Sequence, residues 1–368
     1  MNISIKRLFT CCLFSLALQG LAHAKDLSSS IIYRPSQLTP EHLAVVYNQN
    51  DANSTEVATY YAAARGVPKQ NMIAVSIADW QQDGMSVEAF TALKASIEAK
   101  LNDNIQAILM VWTTPFAVGC NSITSAYTLG YDDKQCQNGC GAGTASAYFN
   151  SRSLLPYSDL NIRPSMLLPT NSVEEAKALI DRGVLSSFSL NEATGYFVKT
   201  SDVSRSRPRE RFFPEDFSTV SSRKLYLRSP KTEFIRHKQD VMFYFTGQVT
   251  VQHLNTLTFL PGAIGDHLTS HGGIITSSGK DSQMNANAWL KAGATGSFGT
   301  VSEPCNHWQK FPNPQVLLSH YLAGETLIEA YWKSVLWPAQ GLFVGEPLAA
   351  PYKQNSLAPL RIDLKNTE

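Results

Sequence analysis

The fold of this chain is decided by residues 240–303, whose three informative segments are DVMFYFTG at 240–247, TLTFLPGAIGDHLTSHGG at 256–273 and SQMNANAWLKAGATGSFGTVSEPC at 282–305. Apolar runs at 241–245, 257–260 and 296–301 predict three buried strands, each followed by small or polar residues. Pro261-Gly262 closes the second run and predicts a turn into a helix. Ligands of open α/β sheets sit outside the carboxyl ends of strands, so these three ends predict where a site lies.

The preceding part of the chain alternates strand and helix patterns. Apolar runs at 43–47, 72–77 and 105–112 indicate strands, and amphipathic patterns that begin at Ser54 and Ser86 indicate helices between them. This alternation is typical of βαβ units. We therefore predict an α/β fold, a three-layer αβα arrangement with a mainly parallel sheet.

The amino terminus has the pattern of a secretory signal peptide at residues 1–24. Lys6 and Arg7 form a positive region, an apolar run follows at 8–21, and Ala22-His23-Ala24 is a cleavage motif. The apolar run is shorter than the about 20 residues that span a bilayer. We expect an exported protein, periplasmic or secreted, with no transmembrane segment after signal removal.

We predict one α/β domain at 25–352 and a loose tail at 353–368. An irregular excursion at 116–170 interrupts the domain and holds three of the four cysteines that remain after signal removal. Loops of this length are functional or need covalent support, so we expect disulfides to hold this one. A polar segment at 201–224 contains SRSRPRER. It favours a solvated loop over a basic recognition patch, because such blocks are usually exposed.

Composition and charge limit the kinds of partner. The 368 residues are 43% hydrophobic and 17% charged, and the formal charge is +1. Removing Lys6 and Arg7 gives +1 − 2 = −1, so the sequence provides no electrostatic attraction for nucleic acid or an anionic membrane. Dinucleotide, Walker, HExxH and CxxC motifs are absent from the sequence, and we predict no cofactor and no bound metal.

Four cysteines stay in the mature chain: Cys120, Cys136, Cys140 and Cys305. An even count in an exported protein predicts disulfides, and four cysteines allow three pairings. Cys120 and Cys305 each follow the carboxyl end of a predicted strand, which favours pairing Cys120 with Cys305 and Cys136 with Cys140. The other two pairings stay open.

The same region also permits catalysis or metal binding. A free Cys305 could be a nucleophile, with His267 or His271 as its base and Glu303 or Asp266 as the group that orients the base. On a helix, His267 and His271 would share one face and could bind a metal. The competing interpretations are a disulfide at Cys305 and ordinary helix capping at His271.

Four segments, 43–75, 261–273, 289–305 and 324–352, resemble an uncharacterised family of exported bacterial proteins found in species that carry the exosortase sorting system. The resemblance implies export and an envelope context. The order of elements in the carboxyl half, which ends in GLFVGEPL, is similar to the caspase-like fold of gingipain-type cysteine peptidases. Their catalytic His and Cys are absent from the matching strand ends, Thr246-Gly247 and Pro261-Gly262.

Two functions follow from these observations. The first is an envelope protein that binds a peptide, a glycan or a protein partner at the carboxyl ends of the strands. The second is a hydrolase of the cysteine-peptidase kind that uses Cys305 with His267 or His271.

Overall fold

The computed structural model describes residues 31–32, 34–186, 192–276, 283–355 and 361–362. One compact unit, Ile32–Arg361, contains the central sheet and its helices. The predicted signal peptide and most of the predicted tail lie outside the described residues.

The strands are β1 (Ile31–Ile32), β2 (Leu43–Asn48), β3 (Met72–Val75), β4 (Gly84–Met85), β5 (Ala107–Val111), β6 (Ala117–Val118), β7 (Asn121–Ser122), β8 (Ser165–Leu168), β9 (Ala193–Phe197), β10 (Ser218–Val220), β11 (Leu225–Arg228), β12 (Val241–Gly247), β13 (Phe259–Leu268), β14 (Gly296–Thr300), β15 (Gly341–Gly345) and β16 (Arg361–Ile362).

The α-helices are α1 (Ala52–Arg65), α2 (Val87–Glu98), α3 (Ile123–Leu129), α4 (Asp133–Gln137), α5 (Pro156–Leu160), α6 (Val173–Leu185), α7 (Val203–Glu210), α8 (Ala286–Lys291), α9 (Pro314–Leu322) and α10 (Leu327–Ser334).

Eleven strands form the central sheet, in the order β10-β11-β9-β12-β13-β14-β15-β8-β5-β2-β3. Strands β11, β9, β12, β13 and β14 run parallel to one another, and so do β15, β8, β5, β2 and β3. The two blocks meet at β14 and β15, which are antiparallel. The predicted α/β class with a mainly parallel sheet is confirmed, and β12, β13 and β14 end at the same edge.

Helices cover both faces of the sheet. On one face Arg182 of α6 donates hydrogen bonds to the carbonyls of Leu290 and Ala294, which ties α6 to the α8 region. On the other face Trp332 of α10 stacks on Phe343 of β15, with ring centroids 4.2 Å apart. Large buried aromatic side chains therefore fill the core on both sides of the sheet.

The predicted turn into a helix at Pro261-Gly262 is wrong, because the chain continues as strand β13 to Leu268. In the ladder Val241 faces Phe259, yet Phe243 faces Ile264, so the segment between them forms a bulge. A bulge accommodates proline, which has no N–H to donate, and glycine, which here has φ +88°. The pairing with β12 then resumes beyond the bulge.

Two other segments also hold more regular structure than predicted. The excursion at 116–170 contains α3, α4, α5 and strand β8, which lies in the middle of the sheet between β15 and β5. The segment at 201–224 contains helix α7, although Pro208 stands inside it. Burial of one helix face, which carries Ser206 and Arg209, compensates for the backbone hydrogen bond that Pro208 cannot donate.

Candidate functional site

Helix α7 packs on the carboxyl end of strand β12. The helix begins at its N-cap Asp202, whose side chain accepts a hydrogen bond from the Arg205 N–H. Gly247, the last residue of β12, permits the approach, because a Cβ atom there would overlap the Arg205 backbone. The segment that the sequence presented as a solvated loop is therefore fixed at the strand ends.

One arginine of α7 is fully buried under the helix. Arg209, with 1% of its surface exposed, forms an ion pair with Asp266 of β13 through Nη1, and its Nη2 donates to the Thr246 carbonyl at 2.7 Å. Burial raises the pKa of the Asp266 carboxyl to about 6, while the Arg209 guanidinium opposes this shift. Arg209 thus links α7 to two strands at the edge where the site was predicted.

The outer face of α7 forms one wall of an open groove of about 530 Å³. Arg207 and Arg211, four residues apart and both exposed, lie on this wall. The Arg211 guanidinium lies 5.3 Å from the Trp308 ring centroid on the opposite wall. Within the described ranges no carboxylate forms an ion pair with either arginine. We call this feature the α7 groove.

The opposite wall of the α7 groove is the segment 305–309, which follows strand β14. Cys305 and Asn306 both have left-handed backbone angles, φ +57° and +55°, which non-glycine residues rarely adopt. His307 Nε2 donates to the Cys140 carbonyl at 2.8 Å, and Lys310 Nζ donates to the Gly139 carbonyl. These contacts tie the wall to the excursion.

The disulfides are Cys120–Cys136 and Cys140–Cys305, so the predicted pairing is wrong. Asn121 fixes the start of α4, since its side chain bonds both the N–H and the carbonyl of Asp132. This contact brings Cys136 of α4 next to Cys120, and Cys140 then reaches Cys305. The sequence shows the order of the cysteines but not the contact between Asn121 and Asp132, so the pairing could not be predicted from it.

His267 is a strand residue, with its ring buried against Trp289 of α8. Its Nδ1 accepts a hydrogen bond from Trp289 Nε1 at 2.9 Å, and its Nε2 lies 2.9 Å from the Met284 carbonyl. An indole N–H can only donate and a carbonyl can only accept, so the ring is the neutral Nε2–H tautomer. Neither nitrogen has a lone pair left for a substrate proton.

Burial lowers the pKa of His267 from 6.5 to about 3. Between these values the unfolded chain binds more protons than the folded one, so the contribution of His267 to stability is lost as pH falls from about 6.5 to 3. Replacing His267 with Gln removes this dependence. We expect His267→Gln to be destabilised relative to wild type at pH 7, and this difference to shrink at pH 4. Urea unfolding at both values measures it, and an equal difference at both would contradict the assignment.

The other predicted catalytic residues do not meet His267. His271 lies in the turn after β13, where its backbone N–H donates to Gln283, and Glu303 accepts from the Cys305 N–H. Cys305 Sγ is bonded to Cys140, so it is not a thiolate. No hydrogen bond joins any two of Cys305, His267 and His271 in the described part of the chain. The i, i+4 helix face expected for the two histidines does not exist.

A metal site receives no geometric support either. The residues at 34–186, 192–276 and 283–355 contain no group of three or more His, Cys, Asp and Glu side chains placed to hold an ion.

Arg207, Arg209, Arg211 and Trp308 were not among the site residues predicted from the sequence. The signal was present in SRSRPRER, because arginines at i and i+4 share one face of a helix. Arg205 and Arg209 form one such pair, and Arg207 and Arg211 form another. Asp202 is also a suitable N-cap. Pro208 and the density of charge favoured the loop interpretation instead.

Fold and site together define an α/β protein with a cationic groove at one edge of a mainly parallel sheet. No family model and no curated protein matches the chain. A solved structure described as "Structure of Protease" is similar over 86% of this chain and 79% of that chain, with 10% sequence identity and a TM-score of 0.47. At these values the likeness assigns no activity. The resemblance to exported proteins of exosortase-carrying bacteria stays a prediction from sequence motifs.

No helix in the described residues is long and apolar enough to cross a bilayer.

Proposed function

We propose that this chain is an exported binding protein that holds a carboxylate-bearing ligand in the α7 groove. The observation that carries the proposal is the pair Arg207 and Arg211, two exposed guanidinium groups without an ion-pair partner in the described residues, on a helix fixed by a buried third arginine. A guanidinium offers a planar fork of donors that matches a carboxylate.

The rigidity of both walls supports binding over a solvated surface. Arg209 fixes α7 from below, and the Cys140–Cys305 disulfide fixes the segment 305–309. Two fixed walls spare a ligand part of the ordering cost of binding. The two disulfides also agree with export into an oxidising compartment.

The ligand can be tested with two simple carboxylates, tetraglutamate and digalacturonate. We expect the α7 groove of the double variant R207Q/R211Q to bind the better of the two about tenfold more weakly than that of wild type at low ionic strength, because two charge-assisted contacts are lost. Binding by the wild type should also weaken as salt is added, since the groove is open. Isothermal titration calorimetry measures both effects.

Arg152 provides the matched control, because it is exposed and lies outside the groove. Arg152→Gln should bind like wild type within about twofold. Unchanged affinity together with unchanged stoichiometry in R207Q/R211Q would contradict the proposal. So would binding of inorganic phosphate with no binding of either carboxylate.

A further inference from the structure

A second cationic cleft lies on the same part of the chain, beside strands β9 and β11. It has a volume of about 580 Å³, and its lining includes Phe217, the three cations Arg228, Arg236 and Lys238, and one carboxylate, Asp216. Arg236 and Lys238 are exposed, and no carboxylate pairs with these three cations in the ranges that the structure describes. We call this feature the β9–β11 cleft.

Phe217 is held in the β9–β11 cleft in a conformation that aromatic residues rarely adopt. The residue is 74% exposed and its φ is +59°. Asp216 stabilises this conformation, since its side chain accepts from the Phe217 N–H and from the Ser229 N–H at 3.0 and 2.9 Å. Exposed and strained positions of this kind cluster at binding sites. A large apolar ring thus stands among three cations.

The two clefts are close along the chain. Arg211 belongs to the α7 groove and Phe217 to the β9–β11 cleft, six positions apart. Six residues span at most about 22 Å when fully extended, so the Cα atoms of Arg211 and Phe217 lie within that distance of each other. An extended peptide rises about 3.3 Å per residue, so roughly seven residues cover this span.

We propose that the two clefts together bind one extended, acidic polypeptide segment. This inference rests on the proposed function of the α7 groove and names its ligand. Five cations with no ion-pair partner among the described residues provide the charge complementarity. Clusters of arginine are a recurring means of recognising acidic peptide segments.

The aromatic rings favour a peptide over an acidic polysaccharide. A sugar ring stacks on an open aromatic face, but an arginine occupies one face of the ring in each cleft. Arg228 lies over Phe217, 4.5 Å from its centroid. Trp308 packs against Phe212, with centroids 4.8 Å apart, and against Arg211. The carboxylate side chains of an acidic peptide would bind the cations and would not require an open ring face.

Ligand length tests the proposal. Tetraglutamate spans roughly 13 Å and can occupy one cleft at a time, whereas dodecaglutamate spans roughly 40 Å and can occupy both. We expect wild type to bind two tetraglutamates or one dodecaglutamate, and to bind the longer peptide at least about tenfold more tightly, through effective concentration. Calorimetry gives stoichiometry and affinity together.

Variants of the two clefts separate this inference from the proposed function. R228Q/R236Q should bind one tetraglutamate and lose the gain from length. R207Q/R211Q should also bind one tetraglutamate, in the β9–β11 cleft, and should also lose the gain from length. If R207Q/R211Q loses one of the two tetraglutamate sites but R228Q/R236Q binds dodecaglutamate like wild type, the α7 groove stands and the joint site is overturned. If dodecagalacturonate binds more tightly than dodecaglutamate with the same dependence on both clefts, the peptide is overturned as the ligand.

Discussion

Replacing Arg209 with methionine is expected to lower the free energy of unfolding by about 3–5 kcal/mol at pH 8. The substitution leaves the Asp266 carboxylate buried without its cation, and it removes the hydrogen bond to the Thr246 carbonyl. Chemical denaturation at pH 8 measures the loss. The same variant should also weaken binding in the α7 groove, because it releases the helix that carries Arg207 and Arg211.

The pH dependence of this loss identifies its cause. Burial raises the pKa of Asp266 to about 6 in the folded protein, and loss of Arg209 raises it further. A carboxyl with a raised folded pKa contributes stability below its unfolded pKa, and this contribution is lost as pH rises through the folded pKa. The protonated acid is neutral and needs no cation. The loss in Arg209→Met should therefore be smaller at pH 5 than at pH 8.

Two controls accompany this variant. Arg205→Met removes the partner of Asp202 on the same helix, and that pair is partly exposed, so its loss should cost less than about 1 kcal/mol. The double variant R209M/D266L removes both charges and should recover most of the stability that R209M loses. A loss of less than about 1 kcal/mol in the free energy of unfolding of R209M at pH 8 would contradict the conclusion that the buried Asp266 carboxylate depends on Arg209.

Removing the Cys140–Cys305 disulfide is the second change with a large expected effect. The double variant C140A/C305A opens a loop that spans 165 positions, and we expect a loss of about 2–5 kcal/mol in the free energy of unfolding. It also frees the segment 305–309, one wall of the α7 groove. Binding of tetraglutamate to that groove should weaken as well.

The other disulfide is a matched control, because the chemistry of the substitution is identical. Cys120–Cys136 closes a loop that spans only 16 positions. In the chain-entropy model its loss costs roughly 2 kcal/mol less than loss of the long loop. C120A/C136A should also keep the affinity of the α7 groove. Equal losses of stability and of binding in the two double variants would show that the long disulfide does not hold the groove wall.

The overall charge of the chain conceals its local distribution. From the near-neutral composition we expected no attraction for nucleic acid or an anionic membrane, and the proposal of an acidic ligand does not depend on net charge. It depends on five cations that line two clefts. A basic segment can bind an acidic ligand only where its cations have no ion-pair partner within the protein. The order of residues in the sequence does not show which cations have such a partner.

The sequence by itself determined the class of the fold and the edge on which to look. Alternating apolar runs and helical patterns specify parallel strands with helices between them, because period and burial are local properties of the chain. The ends of the three strands at 240–303 do lie at one edge of the sheet, and helix α7 packs there.

Only the tertiary structure decided the rest, because each remaining point depends on a contact between distant residues. Pro261-Gly262 would end an isolated strand. In the folded protein these two residues lie in a bulge, and β13 continues beyond it because it pairs with β12. The cysteine pairing follows from the contact that places α4 beside Cys120. The helix in SRSRPRER exists because Asp266, some sixty residues away, gives Arg209 a buried partner. Local propensity does not record such partners, so this segment was predicted as a loop.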